Sequence, residues 1–167
     1  IDISRVDRAG IAEPLPLPEG LYGNLALSPD GKLLALTKYE GTNSDIWVWD
    51  LDQEIFGRLT FGANSAIPLW SKDGASIIYS QTTTPFGIME VASNGTGQPE
   101  LIATAEERVF PETVSPDGVV LYSMGSPRKL YSTAVISDRI SQLIDIGPAS
   151  IRSSRVSPDG NWLAYAS

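Results

Sequence analysis

The sequence has 167 residues, 42% of them apolar, with a formal charge of −8 and neither cysteine nor histidine. Without those two residue types the chain has no disulfide, no thiolate or imidazole metal ligand and no Ser-His-Asp triad. The acidic charge disfavours nucleic acid as a partner, and no apolar run reaches the ~18 residues that a membrane-spanning helix needs. We therefore expect no cofactor, no metal site and no membrane insertion.

The first 16 residues predict two short strands joined by a turn. Residues 3–10 supply a strand and the turn, and residues 11–16 supply a second strand. Three prolines alternate with leucine from Pro14 to Pro18. This run could be a polyproline ligand, but proline is also tolerated at the outer edge of a sheet, where no backbone donor is needed. We favour the edge-strand interpretation.

A four-residue motif follows and recurs at intervals of 43, 44 and 42 residues, beginning at Ser28, Ser71, Ser115 and Ser157. The pattern is S-P-D-G, with Lys72 in place of proline in the second copy. Proline presets the backbone of a turn, aspartate hydrogen-bonds nearby backbone, and glycine takes the positive φ that closes the turn. The motif therefore predicts four tight hairpins, which depend on Asp30, Gly31, Asp73, Gly74, Asp117, Gly118, Asp159 and Gly160.

Apolar runs flank each motif and a second hairpin follows, so one repeat predicts four antiparallel strands. Such a period is typical of a β-propeller blade. Three repeats are complete, over residues 24–61, 66–103 and 110–146, the third with an outer turn at Ser137–Arg139. Residues 152–167 supply only two strands, and residues 1–16 are in phase with the missing two. We therefore predict one all-β propeller domain over residues 1–167, with four blades per chain and the last blade split between the two ends.

These repeats resemble the TolB-like (WD40-like) family of propeller repeats. The likeness rests on the segments LALSPDGKLLALT, DIWVWDLD and GRLTF. Propeller domains joined to bacterial transmembrane serine/threonine kinases resemble the longer segment VDRAGIAEPLPLPEGLYGNLALSPDGKLLAL. The resemblance implies rings of six to eight blades and a periplasmic or extracellular bacterial setting. The chain starts at Ile1 without a secretory signal, as expected of a mature product, an excised domain or a fragment.

Two groups of acidic side chains could carry chemistry. One aspartate per repeat is what a turn requires, so we interpret the four motif aspartates as structural rather than catalytic. A second group lacks the spacing of a calcium-binding loop and is interpreted as a solvated strand edge. Its members are Asp45, Asp50, Asp52 and Glu54.

The four tryptophans could form a surface that stacks on a sugar or a peptide. They are Trp47, Trp49, Trp70 and Trp162. Packing between blades consumes large apolar side chains, so we interpret the tryptophans as core.

Propellers bind ligands at the mouth of the central channel. There lie the loops that enter each first strand, residues 19–23, 62–65, 105–109 and 147–151. The loops that join second to third strands, residues 39–44, 81–85 and 125–128, lie there too. The candidate contact residues on and beside these loops are Tyr22, Asn64, Glu106, Arg108 and Arg152.

The sequence favours a non-catalytic propeller that binds a protein, a peptide or a small ligand, as a sensor or scaffold module of a bacterial protein. The alternatives are a glycosidase with two carboxylates ~5–10 Å apart in the channel, and the gating propeller of a serine peptidase. The two half-blades could pair within one chain, between two chains, or with blades of a longer chain. We expect a homodimer that completes an eight-bladed ring, because unpaired strand edges associate.

Overall fold

The computed structural model describes residues 2–62, 64–134, 141–148 and 150–167, and every regular element in those ranges is a β-strand. The strands in chain order are β1 (Ser4–Val6), β2 (Ala12–Pro14), β3 (Leu21–Leu27), β4 (Leu33–Glu40), β5 (Asn43–Asp50), β6 (Phe56–Arg58), β7 (Ser65–Trp70), β8 (Ser76–Gln81), β9 (Phe86–Ala92), β10 (Glu100–Ala105), β11 (Val109–Val114), β12 (Val119–Met124), β13 (Lys129–Ala134), β14 (Gln142–Ile144), β15 (Ser153–Val156) and β16 (Leu163–Ala166). The same ranges contain no helix of the length and apolarity needed to cross a membrane.

Three antiparallel sheets of four strands form three complete blades, and the strand order in each sheet follows the chain. The first blade holds β3–β6, the second β7–β10 and the third β11–β14. The β1–β2 and β15–β16 pairs form two-stranded sheets of their own. The predicted all-β class and the four-stranded blades are therefore confirmed. The predicted turn at Ser137–Arg139 lies outside the described residues.

Each motif closes the hairpin between the first and second strands of its blade. In the first repeat the Ser28 hydroxyl donates to Asp30 Oδ1 at 2.6 Å and accepts the Leu33 N–H at 2.9 Å. The same pair of bonds recurs in the other three repeats. The four motif glycines have φ between 72° and 83°, a region that glycine enters without steric cost. The motif residues therefore close four tight hairpins.

Buried hydroxyl groups on the second strands join successive blades. Thr37 Oγ1 accepts the Ile67 N–H at 3.1 Å, which connects the first blade to the second. Ser80 Oγ donates to the Val109 carbonyl at 2.8 Å, which connects the second blade to the third. Thr37 and Ser80 are both fully buried. Each bond satisfies polar groups inside the core and joins the second strand of one blade to the first strand of the next.

The two terminal hairpins pack on the two ends of the row of blades. β1–β2 covers the first blade, where Ile3 is 9% exposed and shares a core with Tyr22 and Trp49. β15–β16 covers the third blade through Val156 and Leu163. In the part of the chain that the structure describes, the two hairpins share no sheet. The composite blade, residues 152–167 with 1–16, therefore stays a prediction.

Candidate functional site

The first strands β3, β7, β11 and β15 are neighbours and line the inner face of the row of blades. They begin at one end of that face, called here the mouth end, and finish at the motif turns, called the turn end. Register shifts interrupt the pairing of β3, β7 and β11, and Asn24 and Ile67 there have φ of 51° and 59°. Such bulges re-aim side chains and are common beside functional sites.

Two of the five predicted contact residues have structural roles at the mouth end. Tyr22 is 5% exposed, and its hydroxyl donates to the Pro18 carbonyl at 2.5 Å. Its ring belongs to the core beneath the terminal hairpin, so the structure gives Tyr22 a packing role instead of a place on the mouth surface. Asn64 is half-buried: its carbonyl accepts the Thr82 N–H at 2.9 Å and its amide donates to the Gly62 carbonyl at 3.1 Å. Asn64 therefore joins two mouth loops.

The other three predicted residues, Glu106, Arg108 and Arg152, are exposed at the mouth end. The guanidinium carbon of Arg108 lies 5.7 Å from the centre of the Phe110 ring. That of Arg128, which is not among the predicted contact residues, lies 3.6 Å from the same centre. Both are within the distance at which a cation is attracted to the face of an aromatic ring.

Hydrogen bonds fix the loop that carries Arg128. Its N–H donates to Ser150 Oγ at 3.1 Å, and its carbonyl accepts the Ile151 N–H at 3.1 Å. The loop is thereby tied to the segment that leads directly to Arg152. We refer to Arg108, Phe110, Arg128 and Arg152 as the mouth cluster. Arg128 lies at the end of a predicted mouth loop, and this position is the one sequence signal for it. No sequence signal indicated Phe110, which was predicted only as part of a strand.

A cavity of about 510 Å³ opens at the turn end and is lined by all four repeats. Each repeat contributes the residue that follows its motif serine, namely Pro29, Lys72, Pro116 and Pro158. The wall also carries the carboxylate of Glu112, a residue that is 7% exposed. Two cations, Lys72 and Arg155, and the buried Glu112 are therefore the charged residues that line this cavity, beside three motif prolines.

Glu112 ties the third blade to β15. One carboxylate oxygen accepts the Ser123 hydroxyl at 2.7 Å and the other accepts the Ser154 N–H at 3.1 Å. Arg155 donates to the Glu112 carbonyl at 2.7 Å. Sequence reasoning missed Glu112, although a charge stands there where the equivalent positions of the other repeats hold Leu25, Pro68 and Ser154. The donors to its carboxylate are neutral groups that join strands, which is a structural role.

The motif aspartates act as ionised acceptors within their turns. The serine hydroxyl, with the following backbone N–H, holds the pKa of Asp30 and Asp159 below the usual range. The Ser115 hydroxyl does the same for the pKa of Asp117, and for Asp73 the Ala75 N–H has the largest effect. A glycosidase acid needs a raised pKa. The lowered pKa values agree with a structural role.

The acidic group of the first blade does not converge on one point. Asp45 is buried, pairs with Arg58 at 2.6 Å and accepts the Thr60 hydroxyl at 2.9 Å. Asp50 instead accepts the N–H groups of Asp52 and Gln53 at 2.9 and 2.7 Å, which closes a turn. Within the described ranges no three acidic side chains gather as metal ligands.

The tryptophans divide between core and surface. Trp49 and Trp70 are buried, and Trp47 stacks on Phe56 with ring centres 4.7 Å apart. Trp162, beside β16, is 76% exposed. The core interpretation therefore holds within complete blades and not at the half-blade.

Solved structures of other proteins share this arrangement of blades. TolB from Acinetobacter baumannii has a TM-score of 0.81 and 15% identity, over 98% of this chain and 42% of that chain. A putative TolB from Agrobacterium tumefaciens has a TM-score of 0.78 and 20% identity, over 95% of this chain and 58% of that chain. A chain of the nidogen/laminin complex has a TM-score of 0.75 and 12% identity, over 97% and 64%.

No protein-family model matches the sequence, and no curated protein sequence matches it. The chain spans 42% and 58% of the length of the two TolB chains. At such identities the likeness establishes the fold alone. Together with the four-stranded sheets and the recurring turns, it shows that this chain has the TolB-like β-propeller fold.

Proposed function

We propose that the chain is a non-catalytic propeller that binds a protein segment at its mouth end, as a sensor or scaffold module of a bacterial protein. The mouth cluster is the observation that supports this function. Arginine and aromatic side chains are enriched where proteins meet, and a few such residues carry most of the binding energy. In a chain with a formal charge of −8, the cluster places three arginines on neighbouring loops.

The mouth cluster also indicates the chemistry of the segment. Arg108 and Arg128 present planar guanidinium groups beside one aromatic ring, which suits a carboxylate carried next to an apolar side chain. Glu106 and Glu107 precede Arg108 on the same loop, so the acidic residue of the segment belongs nearer Arg128. Binding should therefore weaken as salt rises.

A displayed peptide library selected on the wild-type chain tests the proposal. We expect enriched peptides to carry acidic and apolar residues, and Arg128→Ala or Phe110→Ala to weaken their binding by at least about tenfold, as for interface hot spots. Lys32→Ala, which removes an exposed cation at the turn end, is the matched control and should change the Kd by less than about twofold. Peptides that bind Arg128→Ala as well as wild type would count against the mouth cluster as the site.

Each enzyme alternative requires particular catalytic side chains. A glycosidase needs one carboxyl group with a raised pKa facing a second one. A His-assisted nucleophile is excluded by composition, since the chain has no histidine and no cysteine. We expect no turnover of aryl glycosides or activated esters by the purified chain. Turnover that is lost when one serine or one carboxylate is replaced would overturn the non-catalytic assignment.

We further propose that two copies of the chain complete an eight-bladed ring by sharing two composite blades. The repeat itself supplies the pairing register. In complete blades, strands two and three pair Thr37 with Ile46 and Ser80 with Ile88. Ile3 occupies the position in its half-blade that Ile46 occupies in the first blade. The Leu15 N–H donates to the Ile3 carbonyl at 2.8 Å, and the Leu59 N–H donates to the Ile46 carbonyl at 2.9 Å.

The equivalent of Thr37 on β16 is Ala166. The register therefore pairs Ala166 with Ile3 of the partner subunit and Ala164 with Arg5 of the partner subunit. Each terminal hairpin already packs on its own neighbouring blade. Only the ladder between β16 and β1 is left to form, and a two-fold pair of chains forms it twice.

A further inference from the structure

Each pair of successive blades meets at an interface, called here a junction. The junctions have the same backbone arrangement but different side chains packed in them. In the first junction the Trp70 indole packs against Ala35 and Val48. Its ring N–H donates to the Ala26 carbonyl at 2.9 Å, so even its polar atom is satisfied. Trp70 is 8% exposed. A large aromatic side chain thus closes the space between the first and second blades.

At the equivalent positions, the second junction has an aliphatic side chain in place of the indole and a carboxylate in place of a valine. Val114 replaces Trp70, because each directly precedes its motif serine. Ile78 pairs with Glu90 across the sheet where Ala35 pairs with Val48 in the first blade. With a valine in place of the indole, a cleft of about 590 Å³ remains between the second and third blades. Its apolar wall is formed by the half-buried Val114 and Pro116, and the fully buried Ile78 lies behind them.

Lys72 leaves the rim of this cleft open. At the first junction the Pro29 ring lies 3.5 Å from the position that a Cβ on Gly74 would take, so adjacent turns touch. At the second junction, where lysine replaces proline, Gly118 has no such neighbour within 4 Å. A flexible, exposed side chain therefore stands where a rigid ring closes the neighbouring junction.

The charges around the cleft favour a cation. Glu90 is half-buried in it and accepts the Ser76 hydroxyl. Asp73 and Asp117 stand at the rim as ionised turn residues. Lys72 is the one cation among the lining residues, and it lies near Asp117. Three carboxylates and one ammonium leave a net negative site above an apolar floor.

We propose that this interblade cleft binds an arginine side chain of a protein partner. Its aliphatic stem would lie on Val114 and Pro116, and its guanidinium would pair with the Glu90 carboxylate. A planar guanidinium matches a carboxylate through two parallel hydrogen bonds, and it loses less hydration on burial than an ammonium does. This site is separate from the mouth cluster, which attracts the opposite charge, so either site can fail without the other.

Methyl nuclear magnetic resonance on the full chain tests the cleft, with butylguanidinium chloride as the probe and sodium butyrate at equal ionic strength as the counter-probe. We expect saturable shifts of the Val114 methyl signals with butylguanidinium and none with butyrate. Glu90→Gln should weaken binding by at least about tenfold, because a charge-assisted pair is lost. Glu107→Gln, an exposed carboxylate at the mouth end, is the matched control and should bind like wild type.

Two substitutions of Lys72 separate shape from charge. Lys72→Ala removes a competing cation and leaves the rim open, so it should tighten binding. Lys72→Pro removes the same charge but restores the residue of the other repeats, so it should weaken binding by covering the cleft. Methyl spectra of the unbound variants verify that each is folded. Equal shifts with both probes, the same affinity for wild type and Glu90→Gln, or tighter binding by both Lys72 variants would overturn the proposal.

Discussion

Equivalent tyrosines are buried in the complete blades and exposed in a terminal half-blade. Tyr79 and Tyr122 each precede a buried serine on a second strand, and they are 3% and 1% exposed. Tyr165 holds the equivalent position on β16 and is 46% exposed. The flanking sequence and the preceding turn are alike in all three repeats. What differs is the hairpin of third and fourth strands, which only the complete blades contain.

The comparison shows that the repeat motif fixes the local hairpin, whereas burial comes from the neighbours. β15–β16 folds as a hairpin with its motif turn intact, yet Trp162 is 76% exposed. The opposite half-blade likewise exposes Val6 at 63% and Ile11 at 62%. Apolar side chains and unpaired strand edges occur together on both half-blades, which is the arrangement that association removes.

The largest expected effect comes from truncating the equivalent tyrosines. Tyr79→Ala should destabilise by ~3–5 kcal/mol, as for other large-to-small core changes, regardless of protein concentration. Tyr165→Ala should cost less than ~1 kcal/mol in the isolated chain, because the side chain is half exposed, and more at concentrations where chains associate. Urea unfolding at two protein concentrations measures both. Equal effects of the two substitutions at high dilution would remove the distinction between complete and half-blades.

A smaller effect is expected at the motif glycines. Gly118 has φ of 83° and open space where a Cβ would stand, so Gly118→Ala should cost ~1–2 kcal/mol through backbone strain alone. Gly57 has equal space but no positive φ, so Gly57→Ala is the matched control and should be neutral or slightly stabilising. Gly160→Ala in the half-blade should behave like Gly118→Ala. A near-neutral result at both motif positions would show that the turns do not require glycine.

The smallest effect concerns pH, and here the two regions should agree. Asp30 in a complete blade and Asp159 in a half-blade both have a lowered pKa, chiefly because of the serine hydroxyl. A carboxyl whose folded pKa is lowered stabilises above its unfolded pKa and loses that stabilisation as the pH falls through the folded value. Carboxyl-carbon titrations should place both pKa values below 3.8. A normal pKa for Asp159 alone would mean that its turn depends on a completed blade.

Local chemistry made the blades predictable from sequence. The recurring Ser-x-Asp-Gly residues determine a turn by themselves, and the apolar runs on either side follow a strand pattern. The turn roles predicted for Gly31 and Asp73 therefore needed no knowledge of any neighbouring blade.

The candidate sites depend on which side chains different repeats bring together, and sequence order does not give that. Tyr22 lies in a predicted mouth loop but packs beneath the N-terminal hairpin. In the sequence, Glu112 is one polar residue in a predicted strand. Its role depends on Ser123 and Ser154, which only the folded chain brings into contact with it. The cleft lies beside Val114, at the position where the preceding repeat has Trp70. This difference between repeats affects the structure only where two blades pack together.

Disulfide trapping tests the central claim, that a second copy completes the split blade in the register of the whole blades. The chain contains no cysteine, so an Ala164→Cys and Arg5→Cys double variant introduces one pair that faces across the proposed ladder. Mild oxidation should give a covalent species of twice the 17.9 kDa of one chain, which reducing agent returns to the single-chain mass. Ala164→Cys with Ser4→Cys, one residue out of register and on the opposite face, should stay monomeric under the same conditions. Equal cross-linking of both variants, or none of the first, would contradict the composite blade.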